Sequence, residues 1–132
     1  MTILKETEEY IYLQFEKLCD SGDESELELF IQTFNVDVNK DNGYYIELIC
    51  ARNDISLLQM FIKRGADIHI NNEGALRMSA HMGSLNVLTY LIEKCNANYE
   101  VLYDSTAYSN KLIVKQYLDE YNATNKISET NV

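Results

Sequence analysis

The sequence predicts an all-α solenoid of four helix-turn-helix repeats, stacked side by side and closed at both ends by polar capping repeats. Three observations carry this. The chain overlies itself when displaced by 30 positions, as from Leu27 to Leu57. The overlaid positions are apolar at the spacing of one helix face. Two further columns, apolar in the middle copies, become polar in the first and last, where a stacked unit has one neighbour fewer.

The clearest copy is Phe61-Ile62-Lys63-Arg64-Gly65-Ala66-Asp67-Ile68. It lies over Ile31-Gln32-Thr33-Phe34-Asn35-Val36-Asp37-Val38 in one direction and over Leu91-Ile92-Glu93-Lys94-Cys95 in the other. A further copy, Leu112-Ile113-Val114-Lys115-Gln116-Tyr117-Leu118, follows at a shorter spacing. Three columns are apolar throughout. They are Leu27, Leu57, Val87, Val114; then Phe30, Met60, Tyr90, Tyr117; then Ile31, Phe61, Leu91, Leu118. Within each unit they fall at i, i+3 and i+4, which builds the second helix of the pair.

The first helix of each pair carries the columns Leu18, Ile49, Ser79, Thr106 and Cys19, Cys50, Ala80, Ala107. Small residues there let two helices approach closely. Short turns join the pair: Ser21-Gly22-Asp23, Arg52-Asn53-Asp54, Met82-Gly83-Ser84 and Ser109-Asn110. Gly and Asn accept the left-handed backbone that ends a helix, and Ser or Asp caps the next one. In the middle units Leu58 with Ile62, and Leu88 with Ile92, add an apolar edge. At the ends these become Glu28 with Gln32, and Lys115 with Asp119. The expected repeats are about 8–40, 41–70, 71–99 and 100–123, within a single domain 1–132 that ends in a frayed polar tail from 124. Thr7 is expected to cap the first helix.

Composition narrows the function. The chain has 132 residues, no proline and a formal charge of −10. That charge disfavours a binder of nucleic-acid backbone, which needs clustered Lys and Arg. It is uneven: residues 1–41 hold 11 acidic against 3 basic side chains, which is expected to set the acidic surplus at one end of the stack and not over its groove. No apolar run approaches membrane-spanning length, and Met1-Thr2-Ile3-Leu4-Lys5-Glu6 carries no secretory h-region. Cys19, Cys50 and Cys95 are too far apart for a zinc site and odd in number for a disulfide framework. The expectation is reduced thiols in an intracellular, cytoplasmic protein.

The Phe61–His69 stretch, Phe-Ile-Lys-Arg-Gly-Ala-Asp-Ile-His, resembles the Leu-Leu-x-x-Gly-Ala-Asp-Val-Asn stretch of ankyrin repeats. Gly74-Ala75-Leu76-Arg77-Met78-Ser79-Ala80-His81-Met82-Gly83 resembles the family's first helix and turn. The Thr-Pro-Leu-His opening usual in the family is replaced by Gly74-Ala75-Leu76-Arg77 and Tyr44-Tyr45-Ile46-Glu47. The helix start then rests on packing of Ile46 and Leu76. The period is three residues shorter than the family's, which turns the finger-like hairpin toward a blunt loop. Short repeats with an Ala-Leu-Arg opening resemble the expanded ankyrin families of giant double-stranded DNA viruses. That implies a viral protein acting on a host protein in the host cytoplasm.

The resemblance implies a non-catalytic protein-binding module with no cofactor and no metal. Its partner surface would comprise the hairpin tips and the exposed side of the first helices. By position these are Asn39, Lys40, Asp41, Asn42 and Tyr44, then Ile70, Asn71, Asn72 and Glu73. The helices add Ala51, Arg52, His81, Met82, Tyr108 and Ser109. Tyr and Arg are frequent interface anchors, and Met82 and Ile70 are apolar where a solvated loop is polar. His69 and His81 occupy different repeat positions, and no motif sets a nucleophile beside a base. Two other functions remain open. A self-assembling or structural protein would show a concentration-dependent mass, although a short capped array favours a monomer. The C-terminal Glu129-Thr130-Asn131-Val132 resembles PDZ-domain ligands.

Overall fold

A computed structural model describes the backbone of residues 2–103 and 112–130, with side chains over 7–103 and 112–125. The fold is all-α, 78% helical, with no strand among the described residues. In order they form α1 (Thr2–Ser21), α2 (Glu24–Phe34), α3 (Lys40–Cys50), α4 (Ile55–Lys63), α5 (Ile70–Met82) and α6 (Leu85–Lys94). A 3₁₀ turn (Tyr99–Leu102) and α7 (Leu112–Thr130) follow. The helix start expected near residue 8 lies earlier, so Thr7 sits inside α1 rather than at its cap. At the other end α7 continues to Thr130, past the point where a frayed tail was expected.

The helices pair as the columns require. Asp23 caps α2 by accepting from the Glu26 amide at 2.7 Å, and the Glu26 side chain accepts from the Asp23 amide at 3.4 Å. This reciprocal box satisfies two amides that the helix itself leaves open. Asp54 caps α4 through the Leu57 amide at 3.1 Å. Helix α6 is capped differently. The Ser84 hydroxyl donates to the Ala51 carbonyl at 3.0 Å, and Asn53 Oδ1 accepts from the amides of Asn86 at 2.8 Å and Val87 at 3.3 Å. A turn in one pair thus closes a helix end in the next. The capping residue Ser84 therefore reaches back to the previous pair instead of serving its own helix.

Two helix layers result. Helices α1, α3 and α5 touch in series, α2, α4 and α6 touch in series, and each pair is joined across the layers. The second-helix columns form the middle of the core. Leu27, Leu57, Val87 and Val114 are buried, as are Ile31, Phe61, Leu91 and Leu118. Phe30, Tyr90 and Tyr117 lie half-buried against it. Phe15 of α1 lies between the rings of Phe30 and Phe61, both near-parallel at centroid distances of 6.0 Å. Ile46 and Leu76, 2% and 0% exposed, start α3 and α5 by packing, as their position demands in the absence of proline. The first-helix columns Cys19, Cys50, Ala80 and Ile49, Ser79 are buried, with Leu18 beside them, while Thr106 and Ala107 lie outside the described residues. Leu58 and Leu88 are fully buried, and their end counterparts are half-buried Glu28 and exposed Lys115; Ile62 is half-buried and Ile92 buried, and their end counterparts Gln32 and Asp119 are exposed.

The connectors hold a recurring device. Asp37, Asp67 and Asn98 each accept from the amide two residues on, at 2.9, 3.0 and 3.1 Å. Such a side-chain turn redirects the chain without a partner strand. Three consecutive residues then adopt left-handed backbone at the start of the helix that follows: Asp41, Asn42, Gly43 in α3 and Asn71, Asn72, Glu73 in α5. One left-handed turn thus joins each connector to the right-handed part of the next helix. Asn, Asp and Gly tolerate this geometry. Glu73 does not favour it. Its φ is 62°, whereas Gly43 holds the matching place at φ 83°.

Candidate protein-binding face

The buried column Cys19, Cys50, Ala80 fixes the register of the first-helix layer. In that register the outward positions follow at i, i+3, i+4 and i+7. They are Leu13, Glu16, Lys17, Asp20 on α1; Tyr44, Glu47, Leu48 on α3, with Ala51 just past its end; and Arg77, Met78, His81 on α5, where Gly74 in the first of these places is buried. Leu13 is 57% exposed and Tyr44 40%, with Leu48 and Met78 half-buried beside them. An apolar strip therefore crosses the layer. Its charged flanks change sign, from Glu16 and Asp20 on α1 to Arg77 on α5.

Between α1 and α3 the surface is hollowed twice. One recess of about 470 Å³ is walled by Glu8, Glu9, Tyr12, Leu13, Glu16, Lys40, Asp41 and Tyr45. A second of about 520 Å³ is walled by Leu13, Glu16, Lys17, Asp20, Tyr44 and Leu48. Leu13 and Glu16 stand between them, so the two form one groove. Its wall is ordered by side-chain contacts. The Tyr44 hydroxyl donates to Glu16 at 2.9 Å, Lys40 bridges to Glu8 at 3.4 Å, and the Lys40 ammonium lies 4.9 Å from the Tyr12 ring centre. The hydrogen bond to the Glu16 carboxylate holds the Tyr44 phenol above its usual range, because the donated proton is what the carboxylate accepts. The Glu8 contact likewise raises Lys40.

The sequence-expected residues divide on this framework. Asp41, Asn42, Tyr44, Asn71, Asn72, His81 and Met82 are exposed, Met82 by 51%. Lys40, Ile70, Ala51 and Arg52 are half-buried, and Arg52 donates to the Cys19 carbonyl at 3.2 Å. Two expected contact residues turn inward. The Asn39 side chain links neighbouring connectors, donating to the Gly65 carbonyl at 3.0 Å and accepting from the Asp67 amide at 2.8 Å. Glu73 is buried, one carboxylate oxygen against His69 Nδ1 and the other without a hydrogen-bond partner. Both hold the connectors together. Tyr108 and Ser109 lie outside the described residues, as does Val132 of the C-terminal motif.

Reasoning from the sequence missed the contribution of α1. Leu13, Glu16, Lys17 and Asp20 precede the clear repeats, but the spacing from Cys19 to Cys50 carries them onto the same face. The acidic N-terminal segment is therefore placed partly along the groove and not only at the end of the stack.

Among the described residues, no group of three His, Cys, Asp or Glu side chains is placed to hold a metal, and no helix is long and apolar enough to cross a membrane. Cys19 and Cys50 are buried free thiols, pushed above the usual range by desolvation, Cys50 to about 12. Cys95 is half-buried and shifted the same way. High thiol values of this kind oppose nucleophilic use. No family model, curated protein or solved structure matches the chain.

Proposed function

We propose that the chain is an ankyrin-like solenoid acting as a non-catalytic module that holds a partner protein across the α1–α3–α5 face. The single observation that supports this most is the apolar strip on that layer. Leu13, Tyr44, Leu48 and Met78 occupy repeating outward positions and stay at least partly open to solvent. Isolated exposed apolar residues are ordinary, but a contiguous strip rimmed by charge marks an interaction surface. If the likeness to giant-virus repeats extends to function, the partner is a host protein.

The test compares three forms of the chain as bait in cells of its natural source. The expected result is one partner recovered with the wild type, lost with Tyr44→Asp/Met82→Asp, and retained with Gln59→Asp on the α4 side. Equal recovery with all three would place binding elsewhere.

A further inference from the structure

We propose that the groove between α1 and α3 receives an amphipathic helix with two apolar anchors one turn apart and Lys or Arg on its flanks. This rests on the protein-binding reading and specifies the partner. The argument begins with the shape. The first recess draws on residues 8–16 of α1 and the second on residues 13–20, so their centres are offset by about five residues. At the helical rise that is about 7 Å, close to the roughly 6 Å between side chains at i and i+4.

Backbone chemistry then selects the form of the occupant. An extended peptide needs an exposed sheet edge to satisfy its amides and carbonyls. The walls here come from two helices, and no strand edge exists among the described residues. A segment that satisfies its own backbone, a helix, can lie on such walls without leaving polar groups unmet.

Charge selects the sequence. The groove is lined by the carboxylates of Glu8, Glu9, Glu16, Asp20 and Asp41, against two cations, Lys17 and Lys40. Lys40 is already engaged with Glu8. The surplus is negative, and the chain as a whole carries −10. Lysine or arginine flanking the anchors would meet Glu9, Glu16 and Asp20 while the apolar anchors fill the hollows around Leu13. An acidic helix of the same shape would be repelled, as would a phosphate-bearing surface.

The probe is a fluorescent 18-residue helix-forming peptide with leucines at i and i+4 and lysines on its flanks, read by anisotropy against the full chain. Its counterpart carries glutamate in place of every lysine. The lysine peptide is expected to bind and the glutamate peptide not to bind. Leu13→Asp should weaken the lysine peptide by about tenfold or more, through lost apolar contact rather than lost charge. Glu16→Lys/Asp20→Lys should weaken it similarly and flatten its salt dependence. Glu100→Lys/Glu120→Lys, which changes net charge equally away from the groove, should alter affinity less than about threefold.

Equal weakening by the two charge reversals, or no effect of Leu13→Asp, would show attraction to net charge alone and overturn the proposal. A partner lost with Tyr44→Asp/Met82→Asp but indifferent to Leu13→Asp would sink this inference and leave the broader reading standing. Circular dichroism of each variant confirms that a lost signal is not lost folding.

Discussion

Asn53 offers the sharpest test of how neighbouring units interlock. It is an exposed turn residue, where substitutions ordinarily change stability by no more than about 0.5 kcal/mol. Two features make it exceptional. Its backbone is left-handed, φ 57°, and its side chain supplies the cap that Ser84 does not give to α6. Alanine loses both. The missing acceptor costs about 1 kcal/mol, and a Cβ in left-handed backbone without a local polar bond costs about 1 kcal/mol more. Asn53→Ala should therefore lose about 2 kcal/mol, a fall in Tm of about 8 °C for a domain of this size. Asn53→Gly keeps the backbone geometry and loses only the cap, so about half that fall is expected. Asn53→Asp keeps an acceptor at a helix N-terminus and should lie near wild type. Thermal melts followed at 222 nm rank the three. An alanine variant within about 1 °C of wild type, or a glycine variant below alanine, would refute the interlock.

Leu58 is fully buried between neighbouring units, whereas Gln32, the first unit's counterpart of the half-buried Ile62, is exposed. Leu58→Ala should cost about 3 kcal/mol and Gln32→Ala less than about 0.5 kcal/mol, as measured by urea denaturation. The buried Cys50 thiol, raised from 9.0 to about 12, keeps its proton in the folded state after the unfolded chain has lost it. Its contribution to stability is thus constant below pH 9.0 and falls as pH rises from there toward about 12, so Tm should drop across that window. The phenols of Tyr45 and Tyr117, shifted upward mainly by burial, steepen the drop, and Cys50→Ala should reduce it. Iodoacetamide at pH 8 should leave Cys19 and Cys50 unmodified in the folded chain and alkylate both in guanidinium, read by mass spectrometry. Met82→Asp should weaken partner binding by about tenfold while moving Tm by less than about 2 °C, because the side chain is 51% exposed.

The helix pairs were legible because apolar spacing records burial directly. Leu27, Phe30 and Ile31 sit at i, i+3 and i+4, and their counterparts in later units pack as that spacing requires. The caps were legible in part: Asp23 and Asp54 close the helices that follow them. Ser84 was not, because its bond crosses to another unit, and a residue type carries no record of which unit it serves. The left-handed turn at Glu73 left no signal either. Glu is not a left-handed residue, and only tertiary context, burial beside His69, holds it there. The groove escaped for a related reason. Its α1 wall precedes the strongest repeat match, and charge counted along the chain does not say which side of a helix it occupies. Glu16 and Asp20 turned out to share a face with Tyr44.

Hydrogen exchange of the chain alone and with its captured partner tests the central claim most directly, namely that one helix layer is the binding face. Bound partner should slow exchange in peptides covering 8–20, 40–51 and 77–82 and leave 55–63 and 85–94 unchanged. Protection confined to α2, α4 and α6, with the α1–α3–α5 layer unaltered, would contradict it.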